Sequence, residues 1–268
     1  NDKTEITLGH RSFDNETSLK GFVGTIWWPN SIYGSSTRPD NVNSKFDGSD
    51  SISKFNISYQ ATENAMVYAT VSEGYRPGGT NRTTQLGATY DADFLTNYEF
   101  GFKTILMDGR MRLNGAAYTM EWDDIQLGWF DSSISLLGLV DNIGAAQSMG
   151  FEIDSQIILS DRLSATFAFA KNDAVLTENY VLRGNTEAYK DQDLPFTPDT
   201  KGNIGLTAEI SDTSRIDFNY AFVAGMYNDL FFDDREFQDS YGIGNLSYTM
   251  DVNDQASIQL YFDNVFDE

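Results

Sequence analysis

The densest candidate for chemistry in this chain is VYATVSEGYRPGGTNR, Val67 to Arg82, which gathers Gly74, Pro77, Gly78 and Gly79 with Arg76 and Arg82. Glycines beside cations suggest a phosphate cradle. Such a loop must open into a helix N-terminus, with Lys and Ser/Thr at fixed offsets. Here there is no Gly-Lys-Ser/Thr, and the following TNRTTQLGATYDAD is polar, β-branched and without helical period. The stretch reads instead as a strand that ends and breaks into a loop, with the glycines serving the bend.

Other chemistries are bounded by the residues available. The chain has no cysteine and one histidine, His10. Disulfides, thiolate metal sites and His-rich zinc sites are therefore excluded. A Ser-His-Asp triad would have to pass through His10, which sits in the alternating run TEITLGHRSF and reads as a strand residue. No enzyme is expected, no cofactor is indicated, and no metal centre is assigned. The acidic segment FFDDREFQD (Phe231–Asp239) could meet divalent cations, but reads first as a solvated loop. Forty acidic against 18 basic residues leave a net charge of −22. That balance argues against nucleic acid or an anionic membrane surface as a partner held by a general basic field.

The elements that position these residues are strands. Tyr98, Phe100 and Phe102 alternate with Asn97, Glu99, Gly101 and Lys103, and Phe167 and Phe169 alternate with Thr166 and Ala168. The runs beginning at Phe151, Ile216 and Ile258 follow the same rule. Period 2 with one apolar and one polar face describes a strand between two different surroundings. No run approaches the roughly 18 apolar residues of a membrane-spanning helix.

The connections alternate in length. Short turns are expected at Asp14–Thr17, Ala61–Asn64, Asp108-Gly109, Ser160-Asp161, Ser211–Ser214 and Asp251–Asp254, with long polar stretches near 29–50, 76–95, 123–148, 171–199 and 226–239. A period of roughly 40–50 residues also suits a propeller blade, but a blade holds four short strands and only two longer ones fit here. Ten residues at about 3.3 Å each, tilted near 45°, rise roughly 23 Å, close to the apolar band of an outer-membrane barrel. Strands of a soluble sandwich run about 5–6 residues. The fold expected is therefore all-β, an antiparallel transmembrane barrel of outer-membrane type. Trp27-Trp28, Trp122, Trp129, Tyr118 and Tyr227, near the long-loop ends, are expected to form part of its aromatic girdle.

On this pattern the chain resembles the TonB-dependent outer-membrane receptors. VYATVSEGYRPGGTN is similar to the family's strand ending in an aromatic, Arg-Pro, Gly-Gly element. TNYEFGFKTILMDGRMRLNGAAYTMEWDDIQ resembles its Tyr-Glu-x-Gly-x-Lys strand, Asp-Gly-Arg turn and return strand. NIGAAQSMGFEIDSQ, LPFTPDTKGNIGLTAE and LYFDNVFDE (Val265 standing for Leu) resemble three later elements, in the family's order. Together they cover about residues 52–268. The resemblance implies active uptake of a scarce bulky solute, most simply an iron-siderophore complex, through a plug domain driven by the TonB system. It also implies contact with outer-membrane lipid and lipopolysaccharide. Family barrels have about 22 strands, so the chain is expected to be one domain, residues 1–268, a C-terminal portion of about twelve strands without plug or last strand.

Ligand contact is expected from Tyr75, Arg76, Arg82, Trp122 and Trp129, because aromatic and guanidinium groups suit large, partly anionic complexes. Glu99, Lys103, Arg110, Arg112, Glu152 and Asp154 are expected to face the lumen, toward a plug or toward water. A passive porin and a soluble β-sandwich remain alternatives, and a hydrolase is opposed by the single histidine.

Overall fold

A computed structural model describes residues 2–21, 42–82, 87–129, 138–182, 185–230 and 237–267. In chain order the first strands are β1 (Thr4–Gly21), β2 (Val42–Thr62), β3 (Ala65–Arg76), β4 (Gly79–Thr80), β5 (Thr89–Tyr90), β6 (Asp93–Leu106) and β7 (Met111–Asp123). There follow β8 (Gln126–Trp129), β9 (Leu139–Asn142), β10 (Ala146–Ser160), β11 (Leu163–Leu176), β12 (Tyr180–Leu182) and β13 (Asn185–Ala188). The last are β14 (Thr200–Ser211), β15 (Ser214–Val223), β16 (Met226–Tyr227), β17 (Phe237–Gln238), β18 (Tyr241–Asn253) and β19 (Ala256–Phe262).

Eleven of these form one antiparallel sheet in the order β1-β2-β3-β6-β7-β10-β11-β14-β15-β18-β19. It is an open wall with β1 and β19 at its edges. The short strands β4-β5, β8-β9, β12-β13 and β16-β17 pair among themselves at the end where the long connections lie. The wall has eleven strands where the sequence pattern suggested about twelve. The difference lies at Asp14–Thr17, expected as a turn, which is strand and pairs with Phe46–Ser49 of β2. The polar stretch near 29–50 accordingly contains the start of β2. Trp27 and Trp28 lie outside the described residues.

Register sorts the side chains. Phe100 lies opposite Ala117, Phe167 opposite Ser155 and Ile204, and Tyr220 opposite Ile204. This face carries Phe55, Val71, Tyr98, Phe100, Phe151, Phe167, Ile204, Leu206 and Leu260, all exposed. A broad exposed apolar face on a chain of this charge requires lipid. The opposite face carries Glu99 against Tyr118, Lys103 against Asn114, Asp154 against Asn114 and Thr207 against Asp217. Its polar groups satisfy one another: Tyr68 donates to Glu99 (2.7 Å), Asn114 to Asp154 (3.0 Å), Ser148 to Asn172 (2.6 Å) and Thr207 to Asp217 (2.8 Å). The Tyr68 ring crosses Gly101, where an added Cβ would stand 2.5 Å from it, so a larger residue at that position of the Tyr-Glu-x-Gly-x-Lys strand would have to displace the ring from Glu99.

Four of the short turns share one device. At each, the last residue of the incoming strand is Thr62, Ser160, Ser211 or Asn253, followed by an acid. Its side-chain oxygen accepts a hydrogen bond from the backbone N–H two residues on, at 3.2, 3.3, 3.3 and 2.9 Å. Asx and Ser/Thr side chains close turns in this way without outside help. A one-residue shift in pairing accompanies all four. The fifth turn is built otherwise: Met107, Asp108 and Gly109 take φ of 55°, 54° and 88°.

The girdle expectation needs correction. Trp122 and Tyr118 lie opposite Leu95 and Glu99, on the polar face. They share the parity of the inner residues, so they cannot meet lipid.

Two outcomes test this wall in the full-length protein. Phe167→Arg, mid-strand on the apolar face, costs about 2–4 kcal/mol and lowers the folded fraction recovered in membranes, whereas Thr166→Asn next to it leaves assembly unchanged. Single cysteines replacing Asp108 and Asp161 stay unlabelled in sealed cells by a maleimide that cannot cross the outer membrane, while one at Asn185 reacts. Equal labelling of the three positions overturns the alternation of sides.

Candidate functional site: the rim of the wall

At the end of the long connections, Asp93 begins β6 on the inner parity and is 1% exposed. A carboxylate so buried needs donors, and it has them. The Arg76 guanidinium pairs with both of its oxygens, and the Arg76 backbone N–H donates at 3.2 Å. The Trp122 indole and the Gln126 backbone N–H each donate at 3.1 Å. Arg76 also lies over the Trp122 ring at 4.9 Å and donates to the Gln126 carbonyl at 2.8 Å. Three chain segments thus meet on one buried charge.

Amide side chains extend the joint. Gln126 Nε2 donates to the carbonyls of Asp91 (2.9 Å) and Pro77 (3.1 Å). Asn142 donates to the Asp91 and Asp124 carbonyls and accepts from the Asp91 N–H. Asn81, buried, clasps the backbone of Val140, 59 residues away, by donating to its carbonyl at 2.8 Å and accepting from its N–H at 3.0 Å. The β4-β5 and β8-β9 segments are therefore stitched into one body. Gly78 and Gly79 serve this packing. Neither has a positive φ; a Cβ on Gly78 would strike the Phe46 ring and the Tyr90 carbonyl, and one on Gly79 the Tyr90 ring. Close approach, rather than the expected bend, requires glycine there.

The next connections join by apolar contact. Ile125, Ile143, Ala146, Ala174, Leu176, Tyr180, Ala188, Leu194 and Leu230 form a buried cluster, with Trp122 and Leu127 packed against it. Ala146, Ala174 and Leu176 come from the rim ends of β10 and β11, and the others from the connections after β7, β11 and β15. Tyr180 donates to Asp141 at 2.8 Å, and burial, then the Asp141 carboxylate, push its phenol well above the ordinary range. Burial, with Asp199 and Asp173 nearby, raises the Asp193 carboxyl. Phe196 N–H donates to the Tyr227 carbonyl at 2.8 Å, tying in the fourth connection. The rim is one hydrogen-bonded and hydrophobic body.

The expected site residues part company here. Arg76 and Trp122 come together, but on Asp93; the Arg76 side chain keeps 49% of its surface exposed. Arg82 is exposed and makes no bond with a described residue. Trp129 ends β8, opposite Leu139, and its side chain lies outside the described residues, as do 231–236 of the acidic loop. Tyr75 pairs with Phe94 on the outward parity, so it turns away from Arg76 and the interior. Of the lumen set, Glu99, Lys103, Arg112, Glu152 and Asp154 are on the inner face. Arg110 is not: it sits in the Met107–Arg110 turn and donates to the carbonyls of Ile158 and Leu159, bracing the next hairpin. Asp93, Gln126, Asn81 and Asn142 were not anticipated. Only the position of Asp93, an acid immediately before an apolar run, carried any signal.

A lipid-facing antiparallel wall with short turns at one end and a consolidated polar-apolar rim at the other defines an outer-membrane-type β-barrel, present here as part of one. The family profile "TonB dependent receptor-like, beta-barrel" matches residues 8–265, and the chain belongs to that family. It is 28% identical over 126 residues to the metal-pseudopaline receptor of Pseudomonas aeruginosa, covering 47% of this chain and 17% of that protein. The crystal structure of the ferric yersiniabactin uptake receptor from Yersinia pestis superposes with a TM-score of 0.79 at 20% identity, over 100% of this chain and 39% of that one. A siderophore receptor from Acinetobacter baumannii gives 0.77 at 17% identity, over 100% and 37%. The chain spans well under half the length of these relatives. They are transport receptors rather than enzymes, and the fold corresponds to theirs.

The Arg76–Asp93 pair makes an asymmetric prediction. Arg76→Met leaves a buried carboxylate short of its main partner, whereas Asp93→Asn leaves a guanidinium that can turn to water. In the full-length protein, Arg76→Met is expected to raise amide exchange at Gln126 and Asn81 by about tenfold or more, equivalent to about 1.4 kcal/mol of lost local stability. Asp93→Asn raises it less. The reverse order contradicts the assignment of Asp93 as the buried hub.

Proposed function

We propose that the intact protein is an outer-membrane receptor that takes up a scarce, bulky metal complex, most simply a ferric siderophore, with energy delivered through TonB. The observation that carries this reading is the consolidated rim. Four long connections are joined into a stiff mouth on the inner side of a polar-faced wall. Stiffness at a mouth favours capture, because a binding surface ordered in advance loses little entropy when the ligand arrives. A passive pore requires only the wall.

In this reading the ligand meets Arg82, Trp129 and the exposed parts of Arg76 and Trp122 at the mouth. A guanidinium and an indole suit the anionic and aromatic parts of such complexes. Tyr75, which faces outward, has no part in capture. Glu99, Lys103, Arg112, Glu152 and Asp154 offer hydrogen-bonding groups to a plug domain held inside the wall. The outward aromatics meet lipid and, above it, lipopolysaccharide. Two of the relatives named above bear metal-complex or ferric-siderophore names, which supports the ligand class but does not choose among its members.

The test is uptake of radio-iron carried by a panel of siderophores in cells producing the full-length protein. Accumulation is expected to stop when an uncoupler collapses the proton gradient, while surface binding persists. Accumulation that continues under the uncoupler would make the protein a passive porin.

A further inference from the structure

The hairpin of β1 and β2 is longer than the wall needs. Its pairing with β3 ends at Lys54↔Ser72, yet β1 and β2 stay paired from His10↔Ser53 to Gly21↔Val42. This projecting ribbon twists over the outward side of β3 and β6. Phe13, on the inner parity of β1, stacks on outward-facing Tyr75 at 3.6 Å with planes 12° apart, and Tyr75 stacks on Phe94 at 6.1 Å. Asn15 donates to the Tyr75 hydroxyl at 2.7 Å, locking the ring. On the outward face of β3 the aliphatic run ends at Val71, then comes Glu73, then Tyr75. The ribbon therefore closes a recess just above the lipid band, on the outer side of the wall and rim.

The recess has a volume of about 280 Å³. Four aromatic rings line it, Phe13, Phe46, Tyr75 and Phe94, with the carboxylates Asp50, Asp91 and Asp124 and no lysine or arginine. The side chains of Asp91 and Asp124 make no hydrogen bond with a described residue. Asp50 accepts only from the N–H of Ser51, at 2.7 Å. An anion would be repelled by three carboxylates without a counter-charge. A metal ion is not favoured either: among the described residues no three acidic or histidine groups stand close enough to hold one. An uncharged apolar guest would desolvate the carboxylates and return nothing to them.

We propose that this recess binds an organic ammonium group. Aromatic faces attract a cation through the ring quadrupole, and carboxylates at the edge supply the opposite charge. A rounded alkylammonium satisfies both, whereas a bare ion would leave the rings unused. The site lies on the outer side of the rim, which lends it Gly78, Asp91 and Asp124, and it does not depend on which solute the protein transports. Its occupant is either a soluble amine or an ammonium headgroup carried by a lipid beside the barrel.

The test uses the full-length protein in a neutral sugar detergent, with choline and its uncharged carbon isostere, dimethylbutanol, observed by saturation-transfer NMR. Choline is expected to bind at least about tenfold more tightly than the isostere. Phe46→Leu and the double variant Asp91→Asn/Asp124→Asn should each weaken choline by about threefold or more, with the barrel still intact by its heat-dependent mobility on gels. Absence of choline binding, equal binding of the isostere, or choline binding unchanged in both variants overturns the proposal. Repeating the measurement in nanodiscs of phosphatidylethanolamine and of phosphatidylglycerol assigns the source. Loss of the choline signal in the first alone means that the lipid headgroup fills the recess. A signal kept in both means a soluble amine does.

Discussion

A chain that crosses lipid as strands must pair every backbone N–H and C=O with a neighbour, because the hydrocarbon offers none. Within the wall each strand is bonded to the next wall strand along the chain, and only the outer edges of β1 and β19 lack a partner among the described residues. Continuous pairing fixes the parity of every side chain, and parity decides the rest. It sets Phe100 and Phe167 outward, Glu99 and Asp154 inward, and separates adjacent residues such as Tyr75 and Arg76 onto opposite sides. The wall has little core of its own. The largest buried apolar cluster among the described residues is at the rim, where the chain leaves lipid and must bury surface by conventional packing.

The two ends of the wall solve opposite problems. At the short-turn end four of the five hairpins close on themselves through a side chain two residues from its partner. At the rim, stability comes from distant residues: Asn81 on Val140, Tyr180 on Asp141, and Arg76, Trp122 and Gln126 on Asp93. Buried at 1% exposure, Asp93 is costly unless all its donors are in place. Its position therefore requires both connections to take one arrangement together.

This division explains what the sequence disclosed. Faces and short turns are local properties, so alternation around Phe100 and the Ser-Asp and Thr-Glu pairs at the turns were legible. Asp14–Thr17 misled because Asp-Asn-Glu-Thr has turn composition; it lies in the ribbon beyond lipid, where neither face must be apolar. Trp122 was placed in a girdle by its position along the strand, although its even number, shared with Tyr118 and Met120, already sets it inside. Arg110 was assigned to the interior by composition, while the adjacent hairpin supplied free carbonyls within its reach. The Asn81–Val140 clasp joins residues 59 apart by side chain to backbone, and no local pattern announces such a bond.

The self-closing turns bear on how the wall is assembled. A pairing that slips by one residue carries every side chain of a strand to the wrong face. A turn fixed by its own serine, threonine or asparagine sets its two strands in step within microseconds, before either meets a third. The unit added to a growing barrel is then a finished hairpin whose inside and outside are already decided. Addition or loss of such units in pairs of strands preserves the orientation of everything that follows, so the wall can change in girth without being rewritten.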